Sequence, residues 1–289
     1  MSKALDELLT KLPQWLGQFT HCLTHPSQVL SEQLATPATP TADDKPAPHP
    51  VTDGAAFLIL SFAVAAGVSI AFPVASMSSL EAVKADGPLA QSAGVLRDLF
   101  VLLGAAALVH GGSRLLGNRQ GFAGFFRAVA RFSGVTLVLM ALVGALTNLG
   151  MADPTVARNW QELRQLTEAF AAPMETVLCK IDPKTGQLPP GTDLGAFKPE
   201  ALLQAQALFQ ETMSRPMVLI AAGLQTLCLT ALCLWLGWVW WRYLRICGLS
   251  PARALAASAL GAAALGASYL LLSLIDGGQM NSQLMQRCS

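Results

Sequence analysis

Residues 217–241 read MVLIAAGLQTLCLTALCLWLGWVWW, 25 consecutive positions without a charge, followed at once by Arg242, Tyr243, Leu244 and Arg245. At about 1.5 Å of rise per residue, such a run reaches across the ~30 Å hydrocarbon core of a bilayer. It has no period-two alternation, and in lipid only helices and closed barrels satisfy every backbone N–H and C=O. The run therefore reads as a transmembrane helix. Its end carries an aromatic and basic anchor for the cytoplasmic interface, formed by Trp238, Trp240, Trp241, Arg242, Tyr243 and Arg245.

Working outward, the same reading applies to Ala254–Ile275, to Phe132–Met151 and to Gly54–Met77, all uncharged. Gly94–Leu116 is a weaker span, with Arg97 and Asp98 near one end and Arg114 near the other. These runs predict an all-α polytopic membrane protein with five transmembrane helices, three in residues 54–151 and two in residues 216–275. Composition agrees: only 13% of residues are charged and mean hydropathy is +0.46, against about 25% charged in soluble domains. A net charge of +1 supplies no field for recruiting nucleic acid. The first 30 residues show no cleavable signal pattern, so the first span is expected to drive insertion.

Charge bias sets the expected orientation. The turn between spans two and three, with its flanks, contributes Arg114, Arg119, Arg127 and Arg131, and the turn between spans four and five Arg242, Arg245 and Arg253, with no acid in either. Five crossings place both turns on one side, and the positive-inside rule makes that side cytoplasmic. The N-terminus is then cytoplasmic and the C-terminus extracytoplasmic.

Residues 1–34 predict a cytoplasmic amphipathic helical segment. Leu5, Leu8, Leu9, Leu12, Leu16, Phe19 and Leu23 share one face, with Trp15 as a possible interface anchor and Pro13 and Pro26 as bends or ends. Residues 35–53 read as a Pro-rich linker. Residues 152–215 predict an extracytoplasmic α-helical cap. Asp153-Pro154 and Pro199-Glu200 open its helices, and a small hairpin turns at 182–186 between Val177-Leu178-Cys179 and Gln187-Leu188. Residues 276–289 are left as an extracytoplasmic tail.

Three stretches in this order resemble the Yip family of five-span membrane proteins, named for interaction with Ypt/Rab GTPases. They are FTHCLTHPSQVLSEQ (19–33), LVHGGSRLLGNRQGFAGFFRAVARFSG (108–134) and WRYLRICGLSPARALAAS (241–258). They are similar, respectively, to the segment before the membrane, the exit of the second span and the basic hairpin joining the last two spans. Each is largely a basic turn between helices, so the likeness lies in their order and spacing. The resemblance implies a bacterial-type member in the inner membrane acting as a scaffold or adaptor. The large outer loop departs from the eukaryotic pattern, so the GTPase-adaptor role is not carried over.

Candidate sites are few. His21 and His25 lie one turn apart, but two imidazoles without a third ligand make a poor metal site. Asp98 is the acid within a span, where an ionisable group is a functional candidate, and its neighbour Arg97 can snorkel toward water. His110 is expected as a packing residue. Of six cysteines, topology places Cys179 and Cys288 outside, where they either pair as a disulfide or remain free. Ser258, Ala262 and Gly266 recur at four-residue steps, as do Ala257 and Gly261, giving small-residue faces for helix packing. No phosphate loop, nucleophile elbow or HExxH is present, so neither an enzyme nor a cofactor is expected. Expected partners are the lipid bilayer and a protein of unknown identity reaching the N-terminus. A permease or channel component is the alternative, with Pro73, Asn148 and Gln225 as its mid-membrane irregularities.

Overall fold

The structure, a computed structural model, describes residues 3–34, 50–72, 88–118, 120–178 and 199–287. Among them there is no strand, and nine α-helices follow in order. These are α1 (Lys3–Thr24), α2 (Pro26–Leu34), α3 (Pro50–Ala71), α4 (Pro88–Leu115), α5 (Phe122–Ala145), α6 (Pro154–Leu178), α7 (Pro199–Ser214), α8 (Pro216–Ile246) and α9 (Pro251–Arg287). A 3₁₀ segment, Leu146–Ala152, extends α5. Seven of the nine begin on proline. Proline at the first helical position has its φ already set and lacks only an N–H that would be unpaired there anyway.

Four helices are long and apolar enough to cross a bilayer among the described residues: Asp53–Ala71, Val95–Leu115, Gly124–Ala152 and Pro216–Ile246. This is the pattern of a multi-pass membrane protein.

The chain forms two compact units. The first comprises Met1–Ala71, Gln91–Gly144 and Leu227–Tyr269. Within it α3 and α5 run parallel and touch closely: Gly54 lies against Arg127 and Ala130, and Phe57 and Ser61 lie against Gly134. A methyl group on Gly134 would fall 2.7 Å from Ser61 Oγ and 2.9 Å from a Phe57 ring carbon. α8 runs antiparallel to α5, with Phe132 on Trp235 and Phe125 on Tyr243 at ring separations of 6.0 and 6.3 Å. α9 runs antiparallel to α4, because Val109 packs on Gly261 while the carbonyl of Leu116 meets Arg253. Phe132, Leu137, Tyr243 and Leu244 are among the largest fully buried side chains of this core.

The second unit comprises Phe72–Ala90, Ala145–Thr226 and Leu270–Ser289. Asp153 caps α6 by accepting from the Thr155 N–H at 2.9 Å. α6 pairs with α7, burying Val156, Asn159 and Thr212. The Arg215 guanidinium, 2.7 Å from Glu211, holds that carboxyl below its usual range, with Asn159 as a further donor.

Several boundaries differ from the sequence reading. Pro13 sits inside α1 rather than ending it. The linker stops short of residue 53, since Pro50 opens α3 and Asp53 occupies its first turn, where a carboxylate suits the positive helix end. Val177 and Leu178 close α6 instead of opening a hairpin, whose turn at 182–186 lies outside the described residues. The expected tail is helical, because α9 continues through Asp276-Gly277-Gly278 to Arg287. Two glycines cost about 2 kcal/mol of helix propensity, and Gln279 and Met280 directly after them are good helix formers.

Gly134→Ala is expected to destabilise the purified protein by about 1–3 kcal/mol, the usual cost of overpacking. Gly67→Ala has open space and serves as the control. Comparing unfolding midpoints of the two variants checks this.

Candidate functional site at the arginine-lined end of the bundle

The spacing of Trp15, Phe19 and Cys22 puts them on one face of α1, and that face is buried. Trp15, 6% exposed, donates from Nε1 to Ser61 Oγ at 3.0 Å, and its ring lies 5.2 Å from Phe19 and 6.1 Å from Phe57. Trp15 is thus a core residue rather than an interface anchor. α2 follows after His25 and buries Pro26, Val29, Leu30 and Gln33, again one helical stripe. Leu34 reaches Gly124 at the start of α5, and Ser27 accepts from Arg242 Nε at 3.2 Å. α2 is therefore seated where α5 begins and α8 ends, and α1 lies against the middle of α3.

Arginines gather at this end. Arg131 pairs with Asp53, tying α5 to the first turn of α3. α4 and α8 both stop in a Schellman turn. Gly117 (φ 103°) and Gly248 (φ 88°) take the left-handed position, and the Asn118 and Leu249 N–H groups return to the carbonyls of Ser113 and Leu244. Arg114 donates to the Gln120 carbonyl at 3.1 Å, Arg245 to Leu249 at 2.8 Å and Arg253 to Leu116 at 3.3 Å. Cationic groups beside helix C-termini are where the macrodipole favours them. Asn118 organises the space between the turns. It donates to Ser113 Oγ at 2.9 Å, accepts from the Gln120 N–H at 2.8 Å and faces the Tyr243 hydroxyl and the Cys247 thiol.

Burial pushes the Cys22 thiol up to about 11 against the opposing effect of Arg131, and pushes Cys247 up to about 11 as well. Both Gln33 amide atoms are buried without a partner, as is Arg127 Nε.

The sequence-derived candidates fall as follows. Of the anchor set, Trp238 is 44% exposed with Arg242 over its ring, Trp240 and Trp241 are half-buried, and Arg245 is exposed. Tyr243 is fully buried and belongs to the core. On α9 the buried stripe is Ala254, Ala257 and Gly261; Ser258 is half-buried, and Ala262 and Gly266 are exposed. Cys179 and Cys288 lie outside the described residues. His21 and His25 stack at 5.4 Å, and no group of three or more metal-ligating side chains occurs among the described residues. Arg97 and Asp98 lie 3.8 Å apart. His110 packs by stacking on Phe125 at 4.0 Å, its Nδ1 unpartnered.

Sequence reasoning did not single out Ser61, Asp53, Gln33 or Asn118. The signal for Asp53 was available, an acid just ahead of an apolar helix with an unopposed arginine stripe elsewhere. No family model, curated protein or solved structure matches the chain. What this end of the bundle offers is positive charge, N–H donors and apolar helix surface, the ingredients of recognition.

With pKa values near 11, only about 0.1% of Cys22 or Cys247 is thiolate at pH 8. Both are expected to resist N-ethylmaleimide at that pH in the native protein and to react on denaturation. Trp15→Ala, which loosens α1, should free Cys22 while leaving Cys247 protected. Site-resolved mass spectrometry of the alkylated cysteines reads the difference.

Proposed function

We propose that this chain is a non-catalytic, Yip-like integral membrane scaffold or adaptor of the bacterial inner membrane. It crosses five times, with the N-terminus cytoplasmic and the C-terminus extracytoplasmic. The observation that carries the reading is the seating of α1 and α2 on the end of the bundle where the arginine-bearing turns meet. The five-crossing count assigns those turns to one side, and Arg253 of one bonding the Leu116 carbonyl of the other supports that assignment. The helix directions also support five crossings: α3 and α5 are parallel, α8 opposes α5, and α9 opposes α4. A fixed amphipathic pair on the cytoplasmic face is a platform for a protein partner, whose identity the chain does not specify.

The second reading is a permease or channel component, favoured by Asp98 beside Arg97 within a span. Against it, two buried hydroxyls inside the spans are occupied. Ser61 accepts from Trp15, and Thr136 donates to the Phe132 carbonyl at 2.8 Å. Neither lines a path.

Two experiments test these readings. Green fluorescent protein should fluoresce when fused before Met1, and alkaline phosphatase should be active when fused after Ser289; the reverse pair sinks the five-span reading. Proximity labelling from the N-terminus should return a reproducible set of cytoplasmic partners, and vesicles containing the purified protein should show no solute flux above empty vesicles. Robust, saturable flux would favour the permease.

A further inference from the structure

The first helix has more apolar surface than the bundle covers. Trp15, Phe19 and Cys22 are buried, yet Leu12, Leu16 and Leu23 on the adjoining strip of α1 are 37%, 53% and 36% exposed. At 3.6 residues per turn these three leucines fall within about 40° of arc, directly beside the buried face. Gln14 and His21 lie on the other side of the helix, about 160–180° from the leucine strip. The helix is therefore divided lengthwise into a bundle face, a leucine edge and a polar back.

The depth at which α1 is held says what covers the leucine edge. Its anchor is Ser61, reached by Trp15, and Ser61 lies eight residues beyond Asp53, where the first membrane-crossing run begins. Eight residues of helix are about 12 Å. Phe57 and Gly134, which close around the same contact, also belong to membrane-crossing runs. Leu16 follows Trp15 directly, so its Cα lies ~3.8 Å from that of Trp15, about one side-chain length from these span residues. Interfacial helices bury their apolar face about 5–10 Å into the headgroup and acyl boundary, somewhat less than the depth of Ser61, and the Trp15 indole reaches from α1 across the difference. An exposed leucine strip this close to the spans is within reach of the acyl chains around them.

We propose that α1 is an interfacial membrane helix whose Leu12–Leu16–Leu23 edge is sunk among the acyl chains of the leaflet at the arginine-lined end. Lipid, rather than a second protein, is its occupant. The α1–α2 pair is then held from two sides, by the bundle through Trp15 and by lipid through the leucines, with Gln14 and His21 turned to water. This rests on the membrane-spanning reading given above and adds a partner for one face of the N-terminal segment.

The test uses the full chain in phosphatidylcholine–phosphatidylglycerol vesicles, with an NBD-bearing amino acid placed by codon suppression at Leu16, Gln14 or Leu227, so that the native cysteines stay in place. Leu227 on α8 is 66% exposed within a span and reports lipid contact. Retained protection of Cys22 from alkylation certifies that each variant keeps α1 seated. NBD at Leu16 should be quenched by nitroxide-labelled lipid to within about two-fold of Leu227 and be insensitive to aqueous iodide, with Gln14 showing the opposite response. If Leu16 follows iodide while Leu227 still follows lipid, the proposal for α1 is overturned and the membrane reading stands. Protection of Leu16 from both quenchers overturns it in favour of a protein partner or a second copy of the chain. Iodide quenching at Leu227 defeats the membrane reading itself.

Discussion

The arrangement of the first unit depends on how closely α3 can approach α5. Gly134 removes the side chain that would collide with Ser61 and Phe57, and Gly54 does the same one to two turns nearer the helix starts. In lipid no hydrophobic driving force pulls helices together, so association rests on close packing and on hydrogen bonds between helices. Closeness here has a second effect. It fixes Ser61 where its hydroxyl accepts from Trp15, and so it determines where α1 sits. The Asp53–Arg131 pair operates at the same contact, closer to the helix ends. Its side chains are 17% (Arg131) and 35% (Asp53) exposed, so it sets register more than it adds stability.

A parallel logic joins the turns. α4 and α8 each end on a left-handed glycine, and each end presents carbonyls that no further helical N–H can satisfy. The turns' own N–H groups return to several of them, Arg253 reaches the Leu116 carbonyl from the other turn, and Arg114 and Arg245 bond the loop carbonyls of Gln120 and Leu249. Residues that the positive-inside rule counts as topological signals thus also tie down the turns they flank. Removing Arg253 would affect both roles at once, because its guanidinium reaches Leu116 from the far hairpin.

Much of the helical layout was legible in the sequence, because uncharged runs and proline starts are local signals. Pro154 and Pro199 were read at helix starts, while Pro50, Pro88 and Pro251 carried the same information and went unused. The packing face of α9 was legible only as a choice between two four-residue series, since small residues recur on both. Val109 decides for Gly261, and nothing in the local sequence names Val109. Tyr243 illustrates the same limit. Beside Trp241 and Arg242 it fits an interfacial belt by composition, yet it points into the core, where its hydroxyl is buried without a hydrogen-bond partner. Trp15 is read as an anchor for the same reason. An amphipathic tryptophan near a membrane suits the interface or a buried hydroxyl equally well, and Ser61 lies 46 positions away in the chain.

The seat of α2 departs from what stability alone would select. Its buried stripe contains Val29 and Leu30, but also Gln33, whose two amide atoms have no partner. Burying an unsatisfied amide costs about 1–3 kcal/mol, whereas a leucine in the same stripe would be favourable. The α1 face, by contrast, satisfies its buried polar group, because the Trp15 indole finds a hydroxyl. Local rules are most often broken where function asks for something other than stability. α1 is thus seated through a satisfied polar contact, and α2 at the cost of an unsatisfied one.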